Sequence, residues 1–239
     1  MIRSWARAIG FILLVALIVV SQKSDFIPIV TAATPSNIRI QTDSTLSEPT
    51  VKSQFKDNNQ LIDIRSFNPN IVLDIRYATQ NNFTRSRLYG VARCLLRSTV
   101  ARKLSLVQQD LEKRGLGLKV YDCYRPLSVQ RQMWRLFPNP RYVANPAIGS
   151  RHNRGAAVDV TLVNRNGDEL EMPTEFDNFT VRAGRNYRGG SLQSRRNRQL
   201  LENVMKKYEF IPMPSEWWHF DADDWRKFSI LDLRLESFK

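Results

Sequence analysis

Hydrophobic residues recur at helical spacing in three segments of the chain. The clearest is residues 98–114, where four apolar residues follow one another at steps of four, three and four, which places them on one face of an α-helix. Ser98 or Thr99 is expected to be the N-cap of this helix, and Gly115 is expected to end it. Two further helices are predicted over residues 128–137 and 192–208.

Other segments alternate or cluster β-branched residues and are predicted to be strands. These segments are residues 61–65, 71–77, 118–124, 156–162 and 217–221. In residues 156–162, Asp159 lies on the face opposite Val158 and Val160. Because strands and helices do not alternate regularly, the pattern favours a single α+β domain with a mainly antiparallel central sheet flanked by helices.

The N-terminal segment has a different pattern from the rest of the chain. Arg3 and Arg7 precede 13 uncharged, mostly apolar residues, a run shorter than the roughly 20 residues of a spanning helix. Residues 1–33 are therefore predicted to be a signal peptide or, as an alternative, a retained N-terminal anchor. Residues 34–58 are predicted to be a flexible linker and residues 59–239 the folded domain. Both alternatives predict export, to the periplasm or the extracellular space.

The charge balance is strongly basic. The 239 residues include 36 Lys and Arg against 23 Asp and Glu, a net charge of +13. Six arginines lie in residues 182–198, but Tyr187 is the one aromatic residue among them, so nucleic-acid binding is not expected. A solvated helix face, or weak association with an anionic cell wall or membrane surface, explains the surplus better.

Histidine and cysteine are scarce, with two residues of each in the chain. Any imidazole-based metal site must use His152, His219 or both, and a zinc module with four cysteine ligands is excluded. This scarcity limits the metal chemistry that the chain can support.

Three polar clusters interrupt the apolar pattern. His152 and Asp159 are seven residues apart across a glycine turn, and a carboxylate in a buried strand requires a partner such as a cation. Glu216 and His219 lie three apart in the most aromatic stretch, and Arg125 follows a predicted strand.

Two histidines and one aspartate would leave a fourth tetrahedral position for water, as in catalytic zinc sites. Glu216 is the candidate general base, and we expect it to reach the site from a loop while His219 points in from a strand. The alternative is that each of these side chains has a structural role only: a histidine bonded to backbone, an aspartate in a turn, or tryptophans in the core.

The motifs S-x-H-x-x-G-x-A-x-D and E-W-W-H-F resemble those of the zinc peptidases of peptidoglycan. Further stretches narrow the resemblance to the D-alanyl-D-alanine dipeptidase family. These stretches are residues 74–79, 82–84, 122–126 and 172–177.

The resemblance implies zinc-dependent hydrolysis of the dipeptide D-alanyl-D-alanine to two D-alanine molecules by a metal-activated water. Under it, one Zn²⁺ per chain would be held by His152, Asp159 and His219. Glu216 would be the general base, and Arg125 would stabilise the oxyanion, with a salt bridge to Asp122 as the alternative reading of Arg125. Asp177 would bind the ammonium group of the substrate, with Ser150 as a further contact.

Two other functions remain open at this stage. One is a D,D-carboxypeptidase that trims peptidoglycan stem peptides, and the other is a non-catalytic module that binds cell-wall peptides. The sequence does not distinguish roles in wall recycling, nutrition or antibiotic resistance, nor does it define the oligomer.

The chain departs from the family at Cys123, where the members have a small residue. With Cys94 as the other cysteine and an exported location, a Cys94–Cys123 disulfide is expected. A buried free thiol or a neighbour of the zinc ion are the alternatives for Cys123.

Overall fold

The structure is a computed structural model that describes residues 60–238. The predicted signal peptide or anchor and the predicted linker lie outside these residues. Among residues 60–238, no helix combines the length and the apolar character needed to cross a membrane.

Two sheets and three α-helices make up the described part of the chain. The strands are β1 Leu61–Asp63, β2 Val72–Leu73, β3 Leu95–Arg97, β4 Leu116–Asp122, β5 Ala157–Asn164, β6 Phe210–Pro212 and β7 His219–Ala222. The α-helices are α1 Ser98–Glu112, α2 Leu127–Leu136 and α3 Leu192–Lys207. Short 3₁₀ helices span Ile64–Ser66, Arg76–Ala78, His152–Arg154, Val181–Ala183, Trp225–Lys227 and Leu235–Ser237.

The central sheet has five strands in the order β2-β4-β5-β7-β6. The β2–β4 pairing is parallel and the other three are antiparallel. β1 and β3 form a separate antiparallel pair. This arrangement confirms the predicted α+β class with a mainly antiparallel central sheet.

The predicted face of α1 is buried, as its periodicity requires. Its inward residues Val100, Leu104, Val107 and Leu111 have no exposed surface. The predicted N-cap is wrong, because Arg97 at the end of β3 precedes the helix directly and makes no side-chain cap bond. The Arg97 guanidinium instead donates to the Arg154 carbonyl. The helix ends at Glu112, and Gly115 follows in the left-handed region with φ +69°.

Several predicted strands differ from those in the structure. The strand predicted over 71–77 is limited to the two residues of β2. A 3₁₀ turn that begins at Arg76 follows it, and the Arg76 Nε donates to Asp74 Oδ2 at 2.8 Å. The predicted 217–221 strand begins two residues later. β3 and β6 were not predicted, because three residues are too few to establish a period.

A row of polar residues crosses the central sheet. Asp122 on β4 lies opposite Asp159 on β5, and Asp159 lies opposite His219 on β7. Directly opposed residues of antiparallel strands project to the same face with Cβ atoms about 5 Å apart. The register of the sheet therefore brings together side chains that are far apart in sequence.

Candidate metal centre and active site

Three buried donor atoms converge at this row. The His152 Nε2 to His219 Nδ1 distance is 3.2 Å. Asp159 Oδ1 lies 3.4 Å from His152 Nε2 and 3.0 Å from His219 Nδ1. In a tetrahedral site with metal–ligand bonds of about 2.05 Å, neighbouring ligands are about 3.3 Å apart. The triangle therefore has the dimensions of three corners of a zinc tetrahedron.

The turn that carries His152 requires a glycine. His152 opens a 3₁₀ turn that Gly155 ends with φ +66°. A Cβ at Gly155 would lie 2.4 Å from Leu61 Cδ2, so a larger residue would displace the Leu61 side chain and strain the left-handed backbone. The turn leads directly into β5, which carries Asp159.

Hydrogen bonds define the orientation of both imidazoles. His152 Nδ1 lies 2.7 Å from the Cys123 carbonyl oxygen, and a carbonyl can only accept, so Nδ1 carries the proton. His219 Nε2 lies 2.9 Å from Asp221 Oδ1. His152 Nε2 and His219 Nδ1 are thereby left to face Asp159. Such outer contacts are typical of metal-ligating histidines.

The electrostatics of the centre favour a cation. Burial alone would raise the pKa of Asp159, but the two imidazoles outweigh burial and lower it. Burial would lower the pKa of His219, yet Asp159 and Asp221 together raise it to about 10. The carboxylates thus attract positive charge to the buried donors, where a metal ion would replace the proton.

Glu216 lies in the loop between β6 and β7, as expected from the sequence, and His219 is the first residue of β7. The Glu216 Oε2 atom lies 4.0 Å from His219 Nδ1, and 8% of the surface of Glu216 is exposed. Burial, with a further contribution from Asp159, raises the pKa of Glu216 to about 7.

Arg125 is held rigidly beside the centre. Its Nη2 and Nε donate to Asp122 Oδ2 at 2.6 and 3.2 Å, and its Nη1 donates to Gln130 Oε1 at 2.9 Å. The Asp122 salt bridge considered from the sequence is therefore present. Burial opposes the charge of Arg125, but Asp122 raises its pKa well above the usual value.

Asp177 and Ser150 line the same cavity as the three donors. Asp177 has φ +59°, an uncommon conformation for a residue other than glycine, and its Oδ1 accepts from the Tyr77 hydroxyl at 3.1 Å. Burial and the nearby Asp159 raise the pKa of Asp177 well above its usual value. The Ser150 Oγ accepts from the His152 backbone N–H at 3.2 Å.

The cavity has a volume of about 130 Å³ and is bounded on one side by aromatic rings. The Phe179 ring stacks on Tyr142 at 4.7 Å and meets Phe83 at 5.2 Å, centroid to centroid. Phe83 also meets Tyr77, the residue bonded to Asp177. We call Phe83, Phe137, Tyr142 and Phe179 the aromatic rim; Phe137 stacks on Phe179 at 5.6 Å.

Comparison with known proteins places this site in a family. A family model described as Peptidase M15, D-ala-D-ala dipeptidase, matches residues 57–232. The chain belongs to the D-Ala-D-Ala dipeptidase family. It is therefore a metallopeptidase, and the members of this metal-dependent family act on small peptides. The resemblance inferred from the sequence motifs is confirmed.

Curated relatives of this dipeptidase family agree with the assignment. The D-alanyl-D-alanine dipeptidase of Escherichia coli strain K12 is 34% identical over 76% of this chain and 94% of its own length. The enzyme of the same name from Enterococcus faecalis is 30% identical over 63% of this chain and 85% of its own. A solved LdcB LD-carboxypeptidase matches 54% of this chain and 59% of its own with 22% identity and a TM-score of 0.37, too low to carry an argument.

Several residues of this dipeptidase site were not singled out from the sequence. Asp221 orients His219, Gln130 holds Arg125, and Asn153 Nδ2 donates to the Arg125 carbonyl at 2.8 Å. The i, i+2 spacing of His219 and Asp221 in a strand could have indicated a shared face. Gln130 and Asn153 lack any such local signal.

The arginine-rich stretch is only partly a solvated surface. Arg185 Nη2 donates to the His219 carbonyl and its Nε to the Met213 carbonyl, both at 2.8 Å, and its guanidinium lies 4.3 Å from the centroid of the Phe220 ring. Arg198 is also buried. Arg185 therefore forms hydrogen bonds with both ends of the loop that carries Glu216.

Replacing Arg185 with methionine is expected to lower kcat by about tenfold to a hundredfold, because the Met213 and His219 carbonyls at the two ends of the Glu216 loop each lose a guanidinium donor and the loop shifts. Steady-state kinetics with metal content held constant measures this effect. Arg196→Met, at an exposed position on α3, is the matched control and should retain wild-type kcat. An equal loss in both variants would contradict the positioning role of Arg185.

Proposed function

We propose that this protein hydrolyses the dipeptide D-alanyl-D-alanine to two D-alanine molecules, using one zinc ion per chain and Glu216 as general base. The observation that carries the proposal is the donor triangle of His152, Asp159 and His219, with sides of 3.0 to 3.4 Å, beside Glu216. A zinc ion held there would supply Lewis-acid chemistry and acidify a water molecule.

Glu216 is suited to accept the proton of the attacking water and pass it to the leaving amine. A general base works best when its pKa is near the working pH, and burial raises the pKa of Glu216 to about 7. A bound cation would lower this pKa and keep the carboxylate ionised. The carboxylate reaches the centre from a loop held at both ends by Arg185.

Arg125 is suited to stabilise the oxyanion of the tetrahedral intermediate. Its three bonds to Asp122 and Gln130 use three of the five N–H groups of a guanidinium. The remaining N–H groups are available to a substrate oxygen in the cavity that Arg125 lines. The salt bridge and the catalytic role are therefore compatible, since the bridge fixes the donor in advance.

Asp177 is suited to bind the free ammonium of the dipeptide, with Ser150 as a further contact. Among residues 60–238, the Asp177 carboxyl accepts a hydrogen bond from the Tyr77 hydroxyl, and burial raises its pKa well above the usual value. A substrate ammonium would form an ion pair that favours the ionised carboxylate, and a substrate without one would lose that ion pair. The Asp177 carboxylate thereby selects for a free amino terminus.

Replacing Asp177 with asparagine is expected to lower kcat/KM for D-Ala-D-Ala by roughly a hundredfold, because the ammonium loses its counter-charge. The same change should alter the hydrolysis of N-acetylated dipeptide far less, so the preference for the free amine falls. Glu175→Gln, at an exposed position in the same loop, is the control. An unchanged ratio of activities on free and blocked dipeptide would refute the assignment of Asp177.

The rival function within the family's chemistry is a D,D-carboxypeptidase acting on stem peptides. The aromatic rim favours the dipeptidase, because Phe83 of the rim packs against Tyr77, whose hydroxyl donates to Asp177. We expect these rings to hinder a peptide that continues beyond the amino group.

The proposed function is tested by incubating the zinc-loaded protein with D-Ala-D-Ala and, separately, with a stem pentapeptide ending in D-Ala-D-Ala. Released D-alanine is measured in both. We expect release from the dipeptide alone. Release from the pentapeptide alone would establish the carboxypeptidase, and no release from either would favour the non-catalytic wall-peptide module. Parallel loading with Mn²⁺ and Co²⁺ tests the choice of metal.

We further propose that the protein acts outside the cytoplasm. Cys94 and Cys123 form the disulfide expected from the sequence, and this bond supports the proposed location, because disulfides persist in oxidising compartments. The exposed arginines of residues 182–198 could add weak attraction to anionic wall or membrane surfaces. Fractionation of cells expressing the full chain, with activity assayed in each fraction, tests the location.

A further inference from the structure

We infer that the Cys94–Cys123 disulfide is a positioning element of the metal centre, so that metal affinity depends on the redox state of these cysteines. The link is the Cys123 carbonyl, which accepts the hydrogen bond from His152 Nδ1 at 2.7 Å. That bond orients the imidazole and leaves Nε2 facing the other two donors. The inference concerns metal binding and holds whatever peptide the enzyme cleaves.

Hydrogen bonds and the disulfide together hold the backbone at Cys123. β4 ends at Asp122 and α2 begins at Leu127, so Cys123 lies in the connection between them. Its N–H donates to Asp122 Oδ1 at 2.9 Å, and the next N–H, of Tyr124, donates to the Leu95 carbonyl at 3.0 Å. The disulfide adds the covalent tie that holds this connection against the start of β3.

Two hydrogen bonds join the connection between β4 and α2 to the 3₁₀ turn that begins at His152. His152 Nδ1 donates to the Cys123 carbonyl, and the Arg125 N–H donates back to the His152 carbonyl at 3.1 Å. A shift of Cys123 therefore moves the imidazole of one metal ligand and the backbone of Arg125 together. Loss of an outer hydrogen bond of this kind typically weakens metal binding by about 10- to 100-fold.

Cys94 and Cys123 are almost completely buried, at 0% and 1% exposure. The disulfide joins two residues that are 29 apart in sequence. A cross-link of this kind stabilises the folded state in general, because it restricts the unfolded chain. That general effect acts on folding and leaves the metal affinity of the folded protein unchanged. A positioning role changes the affinity of the folded protein, so the two roles give different results.

The redox step is an ordinary two-electron reduction. With a water-soluble phosphine as reductant, the S–S bond breaks, each sulfur takes up a proton, and the phosphine becomes its oxide with oxygen from water. Because the sulfurs are buried, reduction requires local opening of the connection. Reoxidation by an external disulfide restores the bond and releases two thiols of that reagent.

The test measures the Zn²⁺ dissociation constant by competition with a chromophoric chelator. The proteins compared are the oxidised wild type and Cys94→Ala/Cys123→Ala, which offers no thiol to the metal. We expect binding 10- to 100-fold weaker in the double variant under conditions where circular dichroism shows both proteins folded.

Leu111→Ala is the matched control for lost stability. Leu111 is fully buried near the end of α1, before the start of β4 and away from Asp122 at the other end of that strand. We expect it to lower the melting temperature and keep wild-type zinc affinity. Wild-type affinity in a folded double variant, or an equal loss of affinity in Leu111→Ala, would overturn the inference.

If the double variant does not fold, the same competition is run on wild-type protein before and after phosphine reduction. Release of zinc on reduction, with far-ultraviolet circular dichroism unchanged, supports the positioning role. Unchanged zinc affinity after complete reduction, verified by thiol titration, overturns it. Loss of peptidase activity without a change in zinc affinity would also contradict it.

Discussion

Replacing Glu216 with glutamine is expected to lower kcat for D-Ala-D-Ala by about a thousandfold while one metal ion per chain stays bound. Glutamine keeps the shape of the side chain but accepts no proton, and removal of a general acid–base group typically costs 10²- to 10⁴-fold in rate. Metal content by atomic absorption and kcat from released D-alanine are the two measurements.

The pH profile provides a second measurement on the same variant. A general base acts when deprotonated, so wild-type activity is present above the pKa of Glu216 and lost as the pH falls through it. The glutamine variant should lack this acidic limb. Glu171→Gln, at an exposed position, should keep both the rate and the limb. A glutamine variant with wild-type kcat would exclude Glu216 as the base.

Replacing Asp159 with alanine is expected to abolish stoichiometric metal binding and to reduce kcat/KM by more than about a thousandfold, since several kcal/mol of transition-state stabilisation depend on the metal. Asp159 Oδ1 lies within 3.4 Å of both imidazole donors and supplies the one carboxylate of the triangle. Equilibrium dialysis against zinc followed by metal analysis measures the loss.

Asp168→Ala is the control for this change, because Asp168 is exposed and lies shortly after β5, the strand that carries Asp159. It should bind one metal ion and retain activity. The Asp159 variant should stay folded, because Asp221 remains as the partner of His219 and His152 Nδ1 keeps its hydrogen bond to the Cys123 carbonyl. One tightly bound zinc ion in Asp159→Ala would show that the metal lies elsewhere.

Elements with a long, regular pattern were predicted well from the sequence. The buried face of α1 and the alternation of β5 follow directly from the periods of helix and strand. β3 and β6 were missed, because they form through pairing with β1 and β7 and not through a pattern of their own. The N-cap of α1 was also predicted wrongly, because the unpredicted strand β3 ends at Arg97 and the helix begins at the next residue, Ser98.

The three donors of the candidate metal centre could be singled out because they are rare residue types in dense motifs. Their supports could not, because they depend on tertiary contacts: Gln130 reaches Arg125 from α2, and Arg185 reaches the Glu216 loop from a stretch that looks like a basic surface. The cysteine pairing could be predicted from parity and from the predicted export, but its contact with His152 through the Cys123 carbonyl could not.

Asp159 on β5 lies opposite His219 on β7, so the metal site can form only when these two strands pair in the correct register. In a sheet, a slip of one residue turns a side chain to the other face, so a misaligned β7 would carry His219 away from Asp159 and break the triangle. These two residues are 60 apart in sequence, and their pairing is a long-range step of folding. A metal ion that binds the triangle during refolding would therefore stabilise chains in which β7 has the correct register. Chains with a slipped register would gain no such stabilisation, and their strands could separate and pair again.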